Sequence, residues 1–126
     1  MILKRIKLIT WIYLLILVLG SVLPLNSGSS TLNNTYVVDI RSDYLIHVLV
    51  LLPLPLFLSL SLGTSTGLWV RVILLGLLVV FFCEGIQILI PYRTFNINDL
   101  LSNGAGALIG IIPAIFVWRR FSGSVK

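Results

Sequence analysis

The sequence predicts an all-α membrane protein of four transmembrane helices, and three observations predict it. Of the 126 residues, 58% are hydrophobic and only 10% charged, with a mean hydropathy of +1.10. A soluble domain carries roughly 25% charged residues, and one of this size hides only about 60–70% of its surface, so lipid must cover the remainder. Four apolar stretches, residues 8–25, 43–62, 70–90 and 99–118, match the ~20 helical residues that cross a hydrocarbon core of ~30 Å. Finally, Lys and Arg fall unevenly among the segments between these stretches, as membrane topology places them.

The first span follows Lys4, Arg5 and Lys7, a start that a signal peptide shares. Its apolar run is long, no A-x-A-like cleavage site follows it, and three more spans come later, so an uncleaved helix is expected. Between it and the second span lies NSGSSTLNNTYVVDIRS, a polar loop holding the sequon Asn33-Asn34-Thr35. That sequon has meaning only in an organism that glycosylates. The second span opens at Asp43 and carries Pro53 and Pro55 near its middle. Both withhold an amide hydrogen, so a kink is expected there, with a gating hinge as the alternative. Short connections, GTSTGLW and PYRTFNIN, lead into the third and fourth spans.

Orientation follows from the basic residues. With the N-terminus inside, Lys4, Arg5, Lys7, Arg71, Arg119, Arg120 and Lys126 lie on the inner face, against Arg41 and Arg93 on the outer one. The positive-inside rule then puts both termini in the cytoplasm and the polar loop outside a cell membrane. The net charge of +5 suggests no nucleic-acid partner, because the basic residues form no stripe with interleaved aromatics. The lone cysteine, Cys83, excludes an intramolecular disulfide and reads as a small buried hydrophobe. There is room for one domain, residues 1–126, and no separate soluble module.

With that topology the polar residues of the spans gather at one depth. Asp43 and His47 open the second span, Glu84 and Gln87 close the third, and Asp99 and Asn103 open the fourth. At 1.5 Å per residue, each lies within about 10 Å of the outer boundary. The spacings are i,i+4, i,i+3 and i,i+4, so each pair shares a helix face. Beyond Asn103 the stripe continues as Gly106 and Gly110, a small-xxx-small surface on which another helix can approach closely. The polar head of that stripe should therefore point into the bundle.

Several of these residues also have structural readings. Asp99 completes a capping box with Asn96, and Asp43 suits a helix N-terminus. His47 alone reads as a neutral, hydrogen-bonded interior histidine, and Arg93 as a solvated loop residue. Glu84 resists such a reading, since it follows a long uncharged and nearly all-apolar run. An ionised group at a helix centre costs about 2.5–3.5 kcal/mol on insertion scales. It must be protonated, paired or open to a hydrated cavity, with His47 and Arg93 as the partners at its depth.

With these residues assembled, the chain resembles the VanZ-like family of small membrane proteins. The resemblance rests on Asp43 and His47 as D-x-x-x-H, Glu84 and Gln87 as E-x-x-Q, then Arg93, then DLLSNGAGALIG from Asp99 to Gly110. It covers about two thirds of the chain, from the second span through the fourth. Family members usually carry a Lys after the first Asp and an aromatic after the His, where this chain has Tyr44 and Val48. The resemblance implies a single four-helix membrane domain and, for the namesake, a contribution to resistance against the glycopeptide teicoplanin.

Three classes of function fit the residues. The protein binds an envelope precursor or lipid headgroup in an outward-facing pocket, with Arg93 on a phosphate or carboxylate. Alternatively it is a membrane-embedded enzyme using His47 and Glu84 as an acid–base pair, though no nucleophile stands among the named residues. As a third class it conducts protons or a small ion, against which stands the lack of comparable polar residues in the inner half. No cofactor is indicated, no short-spacing ligand signature supports a metal, membrane lipid is the expected surrounding partner, and an oligomer is compatible with the sequence.

Overall fold

The structure, a computed structural model, describes residues 2–23, 36–37, 40–63 and 66–123. The sequon at 33–35 and most of the polar loop lie outside the described residues. The architecture is helical: α1 (Ile2–Val22), α2 (Ser42–Leu51), α3 (Leu54–Leu62), α4 (Leu68–Gly85), a 3-10 turn (Ile86–Leu89), α5 (Ile97–Ile109) and α6 (Ile111–Gly123). One two-residue antiparallel pairing precedes α2, β1 (Tyr36–Val37) with β2 (Ile40–Arg41), in the register Tyr36 to Arg41 and Val37 to Ile40.

Among the described residues, three helical segments are long and apolar enough to cross a membrane: Ser42–Leu62, Leu68–Leu89 and Ile97–Phe121. The N-terminal helix α1, of 21 residues, packs beside them against α3 and α4. Large apolar side chains cover the outside of the bundle, with Leu49, Leu78, Leu101 and Phe116 all more than 60% exposed. Polar side chains are instead found inside it, namely Thr10, Ser59, Glu84, Gln87 and Asn103. So much contiguous apolar surface cannot face water, and this inside-out distribution is what a lipid solvent selects.

Each interruption of a long helix has a local cause. Pro53 and Pro55 have no amide hydrogen for the carbonyls of Leu49 and Leu51, so the ladder lapses between α2 and α3. It still holds on either side, through Leu52 N to Val48 O at 3.0 Å and Phe57 N to Pro53 O at 3.2 Å. The Tyr13 hydroxyl of α1 donates to the Val50 carbonyl inside that gap, and its ring lies 4.9 Å from that of Phe57. In α6, Pro113 likewise leaves the Ile109 carbonyl without its helical donor, next to the break at Gly110. The turn from α3 to α4 uses Gly63 (φ 66°) and Gly67 (φ 71°), a left-handed backbone that costs glycine little.

The core contains Leu17, Leu51, Leu54, Leu58, Leu68, Val72, Val80, Cys83 and Ala107. The helix α3 lies between α1, α4 and α6, while α2 and α5 run along each other in the most extensive pairing of the molecule. Two glycines permit that pairing. A Cβ on Gly106 would overlap the Val48 carbonyl, and one on Gly110 would overlap the Leu52 carbonyl and lie 3.1 Å from Cδ of Pro55. Backbone therefore touches backbone along the α2–α5 seam. At the far end of the bundle Trp69 and Trp118 meet edge to face, 5.8 Å apart at 76°, beside Arg71, Arg119 and Arg120.

Candidate functional site

The α2–α5 seam sets the register of everything above it. Asn103 sits one turn before Gly106, and His47 directly precedes Val48, the residue whose backbone Gly106 touches. Close approach at the glycine therefore brings His47 and Asn103 side by side, with His47 Nδ1 3.0 Å from Asn103 Oδ1. From the other side Asn103 Nδ2 donates to Glu84 Oε1, which the last turn of α4 delivers. Asn103 is 3% exposed and Glu84 1%. The amide is thus a buried bridge between imidazole and carboxylate.

Hydrogen-bond direction follows from the bridge. The Asn103 nitrogen faces a carboxyl oxygen, so its oxygen faces Nδ1, and that ring nitrogen carries the hydrogen. The opposite ring nitrogen, Nε2, lies 3.8 Å from Asp99 Oδ2, an ion pair when both nitrogens are protonated. Four residues from three helices thus form one chain, Glu84–Asn103–His47–Asp99.

Asp99 has two roles. Asn96 is the N-cap of α5, and its side-chain oxygen accepts from Asn98 N at 3.0 Å. Its amide nitrogen donates to Asp99 Oδ1 at 3.1 Å. One carboxyl oxygen therefore finishes the helix start, favoured there by the helix dipole, and the other faces His47. Nearby, Asn98 Nδ2 donates to the Tyr44 hydroxyl at 3.2 Å, tying the start of α5 to that of α2.

The remaining candidates fall around this chain. Gln87, buried in the 3-10 turn, stands one turn beyond Glu84 and, among the described residues, shares no side-chain hydrogen bond with it. Asp43 occupies the first turn of α2, half-buried, one turn before His47. Arg93, in the connection to α5, reaches across to α1. Its Nη2 donates to the carbonyls of Gly20, at 3.0 Å, and Leu23. These are among the last carbonyls of α1, which a helix end leaves without partners. Tyr92 adds a bond from its hydroxyl to Val22 O at 2.9 Å. Arg93 still acts electrostatically on Glu84, as does Asp99. Arg93 Nη2 is committed to α1.

Two buried atoms at this end have no hydrogen-bond partner among the described residues, Glu84 Oε2 and Arg93 Nε. No group of three or more His, Cys, Asp or Glu residues suited to a metal ion occurs among the described residues. The expected proximity of His47 and Glu84 takes the form of a link through Asn103 and not of a direct bond. That matters for acid–base chemistry, because an amide between the two groups holds them in place and does not readily relay a proton.

Sequence reasoning passed over a second polar cluster, on the opposite half of the bundle. Thr10 Oγ1 lies 2.9 Å from Ile6 O, 3.2 Å from Phe57 O, and within hydrogen-bond distance of Ser61 Oγ. Hydroxyls in apolar helices bond their own backbone so often that they carry no long-range signal. The hint was that Ser59 and Ser61 are the polar residues of an otherwise apolar α3, and that Thr10 interrupts the apolar run of residues 8–12.

Compared with known proteins, residues 10–119 match the family model described as VanZ/LLP1. Searches of curated proteins and of solved structures return no match.

Proposed function

The chain belongs to the VanZ/LLP1 family, and on that footing we propose that it is a multi-pass membrane protein that binds the headgroup of an envelope component or lipid. Its four helices each cross the membrane, both termini are cytoplasmic, and the Glu84–Asn103–His47–Asp99 chain faces the outer leaflet. The basic residues at the opposite end support this orientation, since Lys and Arg are in excess on the cytoplasmic side.

One observation carries the binding reading. Glu84 is 1% exposed, held through one oxygen by Asn103, and its other oxygen has no partner among the described residues. A buried polar atom left unpaired costs about 1–3 kcal/mol, more for a charged group. In lipid, where no bulk water relieves it, such an atom is retained for what it binds. The bridge fixes the carboxyl before the ligand arrives, which lowers the ordering cost of recognition.

The test is mass spectrometry of lipids and envelope precursors that co-purify with the full chain. A species enriched on wild type and absent from Glu84→Ala is expected, and indistinguishable profiles would sink the binding reading. Teicoplanin susceptibility of cells carrying either form is the matching phenotype. Cysteine placed at Ser30 and at Ser124 should react with impermeant reagents from opposite sides of the membrane. Labelling from one side would end the four-span topology.

A further inference from the structure

Two of the long helical segments are interrupted, and the interruptions meet. The break between α2 and α3 falls at Leu52 and Pro53, and that between α5 and α6 at Gly110. A Cβ on Gly110 would overlap the Leu52 carbonyl and lie 3.1 Å from Cδ of Pro55, so the two breaks touch at one level of the bundle. The carbonyls of Leu49, Leu51 and Ile109 each have a proline four residues on, at 53, 55 and 113. Bending there breaks no helical hydrogen bond at those carbonyls. The joint is also loosely filled, with an apolar cavity of about 10 Å³ lined by Pro55, Gly76, Ala107 and Ile111 among others. Packed interiors hold few such voids. By contrast α4 runs unbroken from Leu68 to Gly85, against both α3 and α5.

We propose that α2 and α5 form a gate: they swing together about the joint at Pro53, Pro55 and Gly110, and the swing uncovers Glu84. The inference rests on the headgroup-binding reading and names how that site is reached. Glu84 is 1% exposed, so a ligand meets its carboxyl only when the cover moves. The contacts within the gate travel with it unbroken, Gly106 on the Val48 backbone and Asn103 on His47. The bond that must open is the one from Asn103 Nδ2 to Glu84 Oε1, because Glu84 stays on the unbroken α4. A headgroup that bonds Glu84 in place of Asn103 offsets that loss, and it favours the open state by its differential affinity for it.

The experiment uses two adjacent positions that different helices cover. Cys83, 3% exposed, pairs with Ser21 of α1, whereas Glu84 pairs with Asn103 of α5. The rate of modification by N-ethylmaleimide is measured on the purified full chain, at native Cys83 and at Glu84→Cys in a Cys83→Ala background. Each measurement is repeated with Pro53→Ala and Pro55→Ala, which return helical donors to Leu49 O and Leu51 O, so that bending must break two bonds. Position 84 should then react roughly tenfold more slowly, the scale of one to two hydrogen bonds, while the rate at Cys83 holds. An unchanged rate at position 84 overturns the gate. Equal slowing at both positions overturns it too, because unravelling of α4 exposes neighbours alike. Should the double proline variant not fold, Pro113→Ala returns a donor to Ile109 O and makes the same comparison at the other break, with the same results deciding. Lipid co-purification with wild type and Glu84→Ala tests the binding reading separately. A Glu84-dependent species with a proline-independent rate overturns the gate and leaves binding standing. A proline-dependent rate with no such species leaves the gate standing and overturns binding.

Discussion

Thr10 and Glu84 are both buried polar residues between helices, and they are satisfied to different degrees. The Thr10 hydroxyl has two carbonyls and the Ser61 hydroxyl within reach, while Ser59 is bonded to Leu56 O at 2.9 Å. Every atom of that cluster finds its partner inside the protein, and its effect is to hold α1 against α3. At the other end, Glu84 has one oxygen bound and one without a partner among the described residues. The first cluster is closed and the second open. In a solvent that offers no hydrogen bonds, closure marks a joint and an open valence marks a place for something else.

The comparison breaks most severely at the seam that assembles the open cluster. Gly106→Ala would drive a methyl into the Val48 carbonyl, so α2 and α5 must separate and His47 must leave Asn103. Overpacking of a rigid contact costs about 1–3 kcal/mol and occasionally more, and backbone against backbone belongs at the upper end. Gly104, two residues earlier, has no atom within 4 Å of an added Cβ. Gly104→Ala should therefore shift stability by no more than about 1 kcal/mol, in the favourable direction if helix propensity decides. Thermal unfolding of the two variants in detergent, followed by circular dichroism, should separate them clearly. Equal melting would mean that the seam yields and that the site is not set by it.

Asn103 is the next point of attack. Asn103→Ala leaves Glu84 Oε1 and His47 Nδ1 without partners, at about 1–3 kcal/mol for the buried group. Removing the carboxyl as well, in Asn103→Ala with Glu84→Leu, should recover part of that loss, because an apolar replacement for a buried charged group is often neutral or stabilising. Neither variant should retain the headgroup. A double variant less stable than the sum of its parts would show that Glu84 stabilises the fold, and the open cluster would then be a joint like the closed one.

How much of this was legible in the sequence depends on the range of the interaction. Helical spacing placed Asp43 with His47, Glu84 with Gln87, and Asp99 with Asn103, because those relations lie within two turns of one helix. The prolines at 53 and 55 announced the break between α2 and α3 for the same local reason, and the Asn96–Asp99 cap was readable at three residues' range. What connects Glu84 to His47 was not readable. It spans 19 residues to Asn103 and 56 more to His47, and periodicity says which face a residue occupies without saying which neighbour it meets. The contacts Arg93 makes with α1 were unreadable for a related reason. Its partners are main-chain carbonyls of Gly20 and Leu23, and a carbonyl acceptor leaves no mark on residue identity. The same blindness hid Tyr13 on Val50 O and Tyr92 on Val22 O.

The smallest effect tests the closed side of the comparison. Thr10→Val keeps the shape of the side chain and deletes the hydroxyl, so Ser61 loses a partner while the Phe57 carbonyl can fall back on its own helix. Interhelical hydrogen bonds between membrane helices average about 0.6 kcal/mol and reach about 1.7 kcal/mol at most. A loss of about 1 kcal/mol is expected in detergent unfolding, less than for Asn103→Ala, because hydroxyls at a helix surface readily turn to a nearby carbonyl. Headgroup retention should stay at the wild-type level, since nothing in the Thr10 cluster touches the Glu84 chain. If Thr10→Val releases the bound species as fully as Glu84→Ala does, the two clusters are coupled through α1. That helix reaches both ends of the bundle, by Thr10 in its first half and by the Arg93 contacts at its end. Closed and open would then describe two states of one device, and no longer two separate parts of the bundle.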